Sequence, residues 1–298
     1  MHNTESLFNY SHISKKSGFY NLSKNSQILI YGKDVYSLLN KYSIRNIYKI
    51  NEKAFYSILM NKKNFLGEVL IIKISPYRFI ICSDKENYIN KIYKIFNFNK
   101  RKFPYLTIEK TNNFLCLFSL HGKLTDQIIA SKTDLYQYVK VNRQNYYYYI
   151  LYTIKNKENK ILEYLKLNGC KEINVDNYLL FLYNNRVITN IDKINNKFKY
   201  NIIKNLYGAD NYNFKCKPKI ITIKLFESTK DISLYKNMKI YNNNHKKIGY
   251  VHRSFHNPNK KNPFILSIVY KFRAGKLALI KDIKTKNDVL IKQRNIYN

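Results

Sequence analysis

The chain is 298 residues long and carries 53 Lys and Arg against 19 Asp and Glu, a formal net charge of +34. With 45% hydrophobic and 15% aromatic residues it can bury ordinary cores, which excludes wholesale disorder, and its length suits about two or three domains. It contains no apolar run of the roughly 18 residues that a membrane-spanning helix needs.

A charge of this size normally points to a polyanion, because neutralising phosphates releases counterions. Here 45 of the basic residues are Lys and only eight are Arg, while Gly numbers 8, Pro 5 and Trp is absent beside 29 Tyr and 17 Phe. Residues with AT-rich codons are inflated and those with GC-rich codons are scarce, the mark of an AT-biased genome. Nucleic-acid binders favour Arg for bidentate and stacked contacts, so most of the charge is assigned to codon bias. A basic RNA- or ribosome-associated protein remains as an alternative of a different class, and it requires Lys and Arg to cluster on one face.

Residues 1–19, with Lys15, Lys16, several Ser and a single acid at Glu5, read as an N-terminal extension that could serve targeting. A strand is predicted at 27–31 and, after Gly32, a helix with Val35, Leu38, Leu39 and Tyr42 on one face. Strands follow at 55–60, 69–74 and 78–82. Ser83 and Glu86 then form an S-x-x-E capping box before a helix whose apolar face is Tyr88, Ile89, Ile92, Tyr93 and Phe96. Pro104 ends this unit. Strands at 105–109 and 114–120 lead into a short helix at 124–130, a β-rich segment at 146–154 and helices at 157–167 and 175–183. From about residue 215 the helical period disappears, and short runs at 220–225, 238–241, 248–251, 264–270 and 277–280 alternate with turn formers. The expected fold class is α+β: two tandem α+β (ferredoxin-like) units, 20–113 and 114–214, followed by a small antiparallel β-barrel, 215–298.

Cys82, Cys116, Cys170 and Cys216 make no C-x-x-C, and the first three sit in or beside apolar stretches, so neither a disulfide framework nor a zinc knuckle fits. His252 and His256 would share a helix face, but Pro258 and the Asn- and Lys-rich stretch after it place them in a loop, and no metal held by the protein alone is expected. There is no Gly-rich phosphate loop, G-x-S-x-G or H-E-x-x-H. Lys100-Arg101-Lys102 and the run Tyr146 to Tyr149 read either as a basic patch and stacking platform for single-stranded RNA, or as a solvated turn and a β-strand with half its tyrosines buried.

The strand followed by Gly32-Lys33-Asp34 and Leu38-Leu39, the run Tyr56 to Asn61, Gly67-Glu68-Val69, and Leu117-Phe118-Ser119-Leu120-His121-Gly122 together carry a resemblance. In order and spacing they resemble the folate-binding superfamily that joins the glycine-cleavage T-protein, an aminomethyltransferase, to the YgfZ-type iron-sulfur assembly factors. Ile44-Arg45-Asn46 stands where the family has T-N-D. About twenty residues before the first barrel strand, where the YgfZ-type branch has K-G-C-Y-x-G-Q-E, this chain has Lys204, Leu206, Tyr207 and then Asp210-Asn211. Lys204 and Tyr207 match, Leu206 replaces the motif cysteine, and Cys216 lies ten residues later.

The resemblance implies a divergent YgfZ-type protein that assists maturation of 4Fe-4S proteins in the mitochondrion, or otherwise in the cytoplasm, with iron-sulfur assembly proteins or 4Fe-4S clients as partners. Its alternative is an aminomethyltransferase using tetrahydrofolate. Candidate folate-pocket residues are Glu68, Asn184 and Tyr207, with Lys204 and Tyr207 as the motif remnant. Asn184 stands where T-proteins carry the carboxylate that hydrogen-bonds the pterin ring, so a two-pronged contact to adjacent N–H donors is lost. In T-proteins an acid at the place of Glu68 orients the reacting folate nitrogen; without that role, Glu68 would cap or solvate a strand edge among lysines.

Overall fold

The computed structural model describes residues 16–23, 25–62, 64–111, 115–131, 134–144, 146–185, 187–189, 203, 206–207, 210–211, 221–229, 238–255, 263–270, 277–281 and 288–293. The chain divides into two compact units, Ser11–Val175 with Leu206–Phe214, and Met1–Tyr10 with Asp176–Asn205 and Lys215–Asn298. Among the described residues no helix is long and apolar enough to cross a membrane.

In chain order the first of these units contains β1 (Ser17–Asn21), β2 (Gln27–Tyr31), α1 (Val35–Tyr42), β3 (Ala54–Asn61), β4 (Asn64–Ser75), β5 (Arg78–Cys82), α2 (Glu86–Asn99) and β6 (Thr107–Thr111). It continues with β7 (Leu115–Gly122), α3 (Thr125–Ala130), β8 (Gln137–Arg143), β9 (Tyr146–Ile154), α4 (Glu158–Leu167) and β10 (Lys171–Glu172). One sheet has the order β3-β4-β5-β2-β6 and the other β10-β1-β7-β9-β8. All neighbours are antiparallel except β1 and β10. Strand β1, which crosses the 19/20 boundary, pairs Phe19 with both Leu120 and Glu172.

The helical periods place their apolar faces as predicted: α1 buries Val35, Leu38, Leu39 and Tyr42, and α2 buries Tyr88, Ile89, Ile92 and Phe96, with Tyr93 partly buried beside them. Both pack in one core with Ile28, Ile30, Phe55, Val69 and Ile71 of the sheet. The turn between β2 and α1 needs glycine. Gly32 has φ +121, and a Cβ there would stand 2.0 Å from the carbonyl oxygen of Tyr105. Gly32→Ala is therefore expected to lower stability by about 1 to 3 kcal/mol, read as a lower urea midpoint with an unchanged slope; an unaltered midpoint would refute the close approach.

The capping box does not form. The residue before α2 is Lys85, which makes no side-chain cap, and the Ser83 hydroxyl instead donates to the Glu68 carbonyl at 2.8 Å and accepts from the Lys85 amide. The serine is drawn off because it lies against β4, and this ties the start of α2 to the strand that carries Glu68. The tyrosine run also departs from simple alternation: Tyr148 is buried, Tyr146 and Tyr149 are half-buried and Tyr147 is 58% exposed. Strand β9 is interior to its sheet, with His121 stacked against Tyr146 on one side and the Tyr149 hydroxyl donating to Asp126 of α3 on the other, so both of its faces are covered.

The second unit holds α5 (Val175–Asn184) from its second residue on, and contains β11 (Ile221–Ser228), β12 (Lys239–Tyr241), β13 (Lys247–Phe255), β14 (Phe264–Tyr270), β15 (Leu277–Lys281) and β16 (Asp288–Gln293). These six strands close an antiparallel barrel in the order β11-β14-β13-β12-β15-β16, filled by Phe226, Ile240, Val251, Ile265, Ile280 and Ile291 among others. The fold class is α+β with a C-terminal β-barrel, as expected. His252 lies in β13 rather than in a loop, at a register shift between Val251 and Arg253, and its Nε2 is 3.2 Å from the Thr189 carbonyl oxygen. The loop signals come after the strand ends, and His256 is outside the described residues.

Candidate functional site

Strand β4 runs through its sheet with Glu68 opposite Ile58 of β3, and only 7% of Glu68 is exposed. Strand β8 brings its counter-charge from the other sheet. Its pleat buries Val139, Val141 and Arg143 and exposes Tyr138, Lys140 and Asn142, so the period of two delivers Arg143 to the interior at 1% exposure. Arg143 Nε and Nη2 each lie 3.0 Å from Glu68 Oε1, and Nη1 and Nη2 lie 3.3 Å from Asp84 Oδ2. The guanidinium carbon also sits 4.4 Å from the centre of the Tyr56 ring. A buried carboxylate is tolerable only when paired and hydrogen-bonded, and Glu68 is both.

The third contact comes from far along the chain. The Tyr207 hydroxyl donates to Glu68 Oε1 at 2.6 Å and accepts from Gln144 Nε2 at 2.5 Å. Gln144 follows Arg143 directly with a left-handed φ of 57, a turn that points the two neighbouring side chains at the same cluster. A relay therefore runs from the Gln144 amide through the Tyr207 hydroxyl to the Glu68 carboxylate. Tyr56 is held by the Tyr148 hydroxyl at 2.8 Å, and Tyr148 packs 4.7 Å from the ring of His121.

Electrostatics follow from burial. Burial pushes the Glu68 carboxyl above the ordinary carboxylate range, while the Arg143 guanidinium and then the Tyr207 hydroxyl pull it back down. Burial, and after it the Glu68 charge, drives the Tyr207 phenol well above its ordinary value. The His121 imidazole is pushed down to about 3, first by burial and then by the nearby Arg143 charge. Among the described residues no group of three or more His, Cys, Asp or Glu could hold a metal ion.

Beside this cluster lies a recess of about 480 Å³. Tyr56, Gln144 and Tyr207 form part of its lining; Arg45, Lys49 and Lys140 put positive charge on it, offset by Glu52 and Asp210. Glu68 is not among its described lining residues, and the hydroxyl of Tyr207 connects the two.

Of the candidates named from the sequence, the structure brings Glu68 and Tyr207 into hydrogen-bond contact, and it gives Glu68 buried partners in place of a solvated strand edge. Asn184 ends α5 in the other compact unit, and its side chain is outside the described residues, as are Lys204 and Cys216. Leu206, at the motif-cysteine position, lines the recess. Asp210 accepts from the Asn46 amide, and the Asn211 side chain donates to the carbonyls of Asn40 and Ser43. Arg143 and Gln144 escaped the sequence reading, and Tyr56 entered it only as the first residue of a motif run, not as a site residue. The alternation Val139, Val141, Arg143 was the available signal for the first of them.

No protein-family model matches the sequence, and no curated protein matches it. Among solved structures, the heterotetrameric sarcosine oxidase from Corynebacterium sp. U-96 is similar at a TM-score of 0.33 and 7% identity, over 55% of this chain and 90% of that one. The glycine cleavage system aminomethyltransferase T from Bartonella henselae is similar at a TM-score of 0.69 and 11% identity, over 97% of this chain and 88% of that one. The second likeness spans nearly the whole chain, and what it establishes is the fold: two α+β sheets followed along the chain by a barrel, as in an aminomethyltransferase T.

Proposed function

We propose that this chain binds tetrahydrofolate in the recess beside Glu68 and acts as an aminomethyltransferase-like, folate-dependent protein. The observation that supports this most is the buried Glu68–Tyr207–Gln144 relay adjoining a recess of about 480 Å³ in a chain with an aminomethyltransferase T fold. That volume lies within the usual range of small-molecule sites. Arg45, Lys49 and Lys140 complement the carboxylates of a folate glutamate tail.

In this reading Arg143 opposes the upward push of burial on the Glu68 carboxyl and fixes its orientation, and Tyr207 is the group that a bound folate N–H would meet first. Glu68 orients the reacting nitrogen only after the Tyr207 hydroxyl leaves Oε1. Tetrahydrofolate, when bound, would supply the nitrogen that receives the one-carbon unit.

Calorimetry with tetrahydrofolate tests the reading. Binding is expected, and Tyr207→Phe, which removes the hydroxyl but keeps the ring, is expected to change affinity by about tenfold or less. Glu68→Gln is expected to abolish transfer of the aminomethyl group while tetrahydrofolate still binds. No heat of binding with the intact chain would end the proposal.

A second reading, a factor for 4Fe-4S protein maturation in the mitochondrion with assembly proteins or 4Fe-4S clients as partners, is proposed from the sequence resemblance; the one structural observation in its favour is that the Tyr207 hydroxyl occupies Glu68 Oε1, which suits folate binding without turnover. Depletion would then lower 4Fe-4S enzyme activity and leave glycine cleavage intact; the opposite pattern selects the transferase.

A further inference from the structure

A second recess, of about 500 Å³, lies on the same compact unit, where the end of α1, the turn between β3 and β4 and the end of α2 meet. Lys41, Lys62, Lys94 and Lys102 line it, and no acid is among its described lining residues. All four lysines are exposed, and no ion pair joins any of them to a carboxylate among the described residues. Phe98, in the last turn of α2, also lines this recess and is 84% exposed.

The chain-wide excess of lysine does not account for this by itself. The recess beside Glu68 is nearly as large, yet its three cations stand against two acids. Here four cations stand against none, beside an aromatic ring left in water. Like charges gathered without acids repel one another, and a bound polyanion relieves that repulsion. An exposed ring beside cations matches the way single-stranded nucleic acid is held, with phosphates on the basic groups and bases stacked on aromatic faces. Concavity favours a thin flexible strand over a flat bilayer, which would touch only the rim.

We propose that this recess binds single-stranded nucleic acid, with backbone phosphates against Lys41, Lys62, Lys94 and Lys102 and a base stacked on Phe98. Recognition is tolerant of sequence, because every base presents a π-face. Lys41 is already poised over aromatic rings, its Nζ 5.5 Å from the Tyr42 ring and 5.6 Å from the Phe103 ring.

Fluorescence anisotropy of a labelled oligouridylate with the full chain, between about 50 and about 200 mM salt, tests this. Phe98→Ala, at an exposed position, is expected to weaken binding about 5- to 100-fold without changing the salt slope. The pair Lys41→Gln and Lys94→Gln is expected to reduce the slope of log affinity against log salt by about 1.4. The control pair Lys160→Gln and Lys166→Gln on α4 removes the same charge and is expected to leave affinity and slope within experimental scatter. Unchanged affinity in Phe98→Ala, or equal losses in the two lysine pairs, would show diffuse charge attraction and overturn the proposal. So would phosphatidylserine vesicles that depend on Phe98 while the oligonucleotide does not.

Discussion

Arg143→Met is expected to destabilise the protein by about 3 to 5 kcal/mol at neutral pH, the range seen when one partner of a buried ion pair is removed. The side chain is 1% exposed and meets Glu68 and Asp84 together. Its loss leaves the Glu68 charge with only the Tyr207 hydroxyl, in a place where burial already pushes the carboxyl up. Because that upward push then goes unopposed, the folded state holds the Glu68 proton to higher pH than the unfolded state does. Stability of the variant therefore falls as pH rises through the unfolded carboxylate range, and its deficit shrinks when pH is lowered. Adding Glu68→Leu removes the stranded charge, and the double variant is expected to recover to within about 1 to 2 kcal/mol of the parent. Urea midpoints of the three proteins measure this, and a single variant within about 1 kcal/mol of the parent would disprove the buried pair's role.

The second large effect concerns acid. His121 is 1% exposed, its Nδ1 is 2.9 Å from the Tyr146 hydroxyl, and its ring packs against Tyr146 and Tyr148. Its folded value near 3 lies far below the ordinary imidazole value of 6.5, so between those two pH values the unfolded chain binds the proton and the folded one does not. The stabilisation is complete above pH 6.5 and is lost as pH falls toward 3. At about 1.4 kcal/mol per pH unit, this single group is expected to cost about 3 kcal/mol between pH 6.5 and pH 4. His121→Phe keeps a ring between the two tyrosines and removes the titration. The measurement is the urea midpoint of both proteins across that range. The variant's pH dependence should be shallower by that amount, and parallel curves would rule out His121 as the acid-sensitive group.

Much of the fold was legible because its signals are local. Val35, Leu38, Leu39 and Tyr42 share a helix face by spacing alone, and the bounds of β2, β5, β9 and β14 follow from runs of apolar and aromatic residues. Strands β1, β8 and β16 were not legible. β8, Gln137–Arg143, does alternate as a strand does, but its inward face has only Val139 and Val141 before the charged Arg143, too few apolar positions to stand out until packing gives that face a core. Ser83 shows the converse: a sound local capping signal lost to the Glu68 carbonyl, which only packing brings near.

For the site, the sequence by itself determined that Glu68 and Tyr207 were the positions to watch, through the order and spacing of family-like motifs. Their relation was decided by tertiary structure alone. Arg143 lies 75 residues beyond Glu68, and Tyr207 lies 139 beyond it. No periodicity within a helix or strand reaches across such separations. Which charges pair is set by how two sheets face each other, and a buried carboxylate draws in whatever guanidinium and hydroxyl that packing places within hydrogen-bond reach. The charge of +34 behaves the same way: composition states its amount, and only the fold decides that four of its lysines meet around an exposed Phe98.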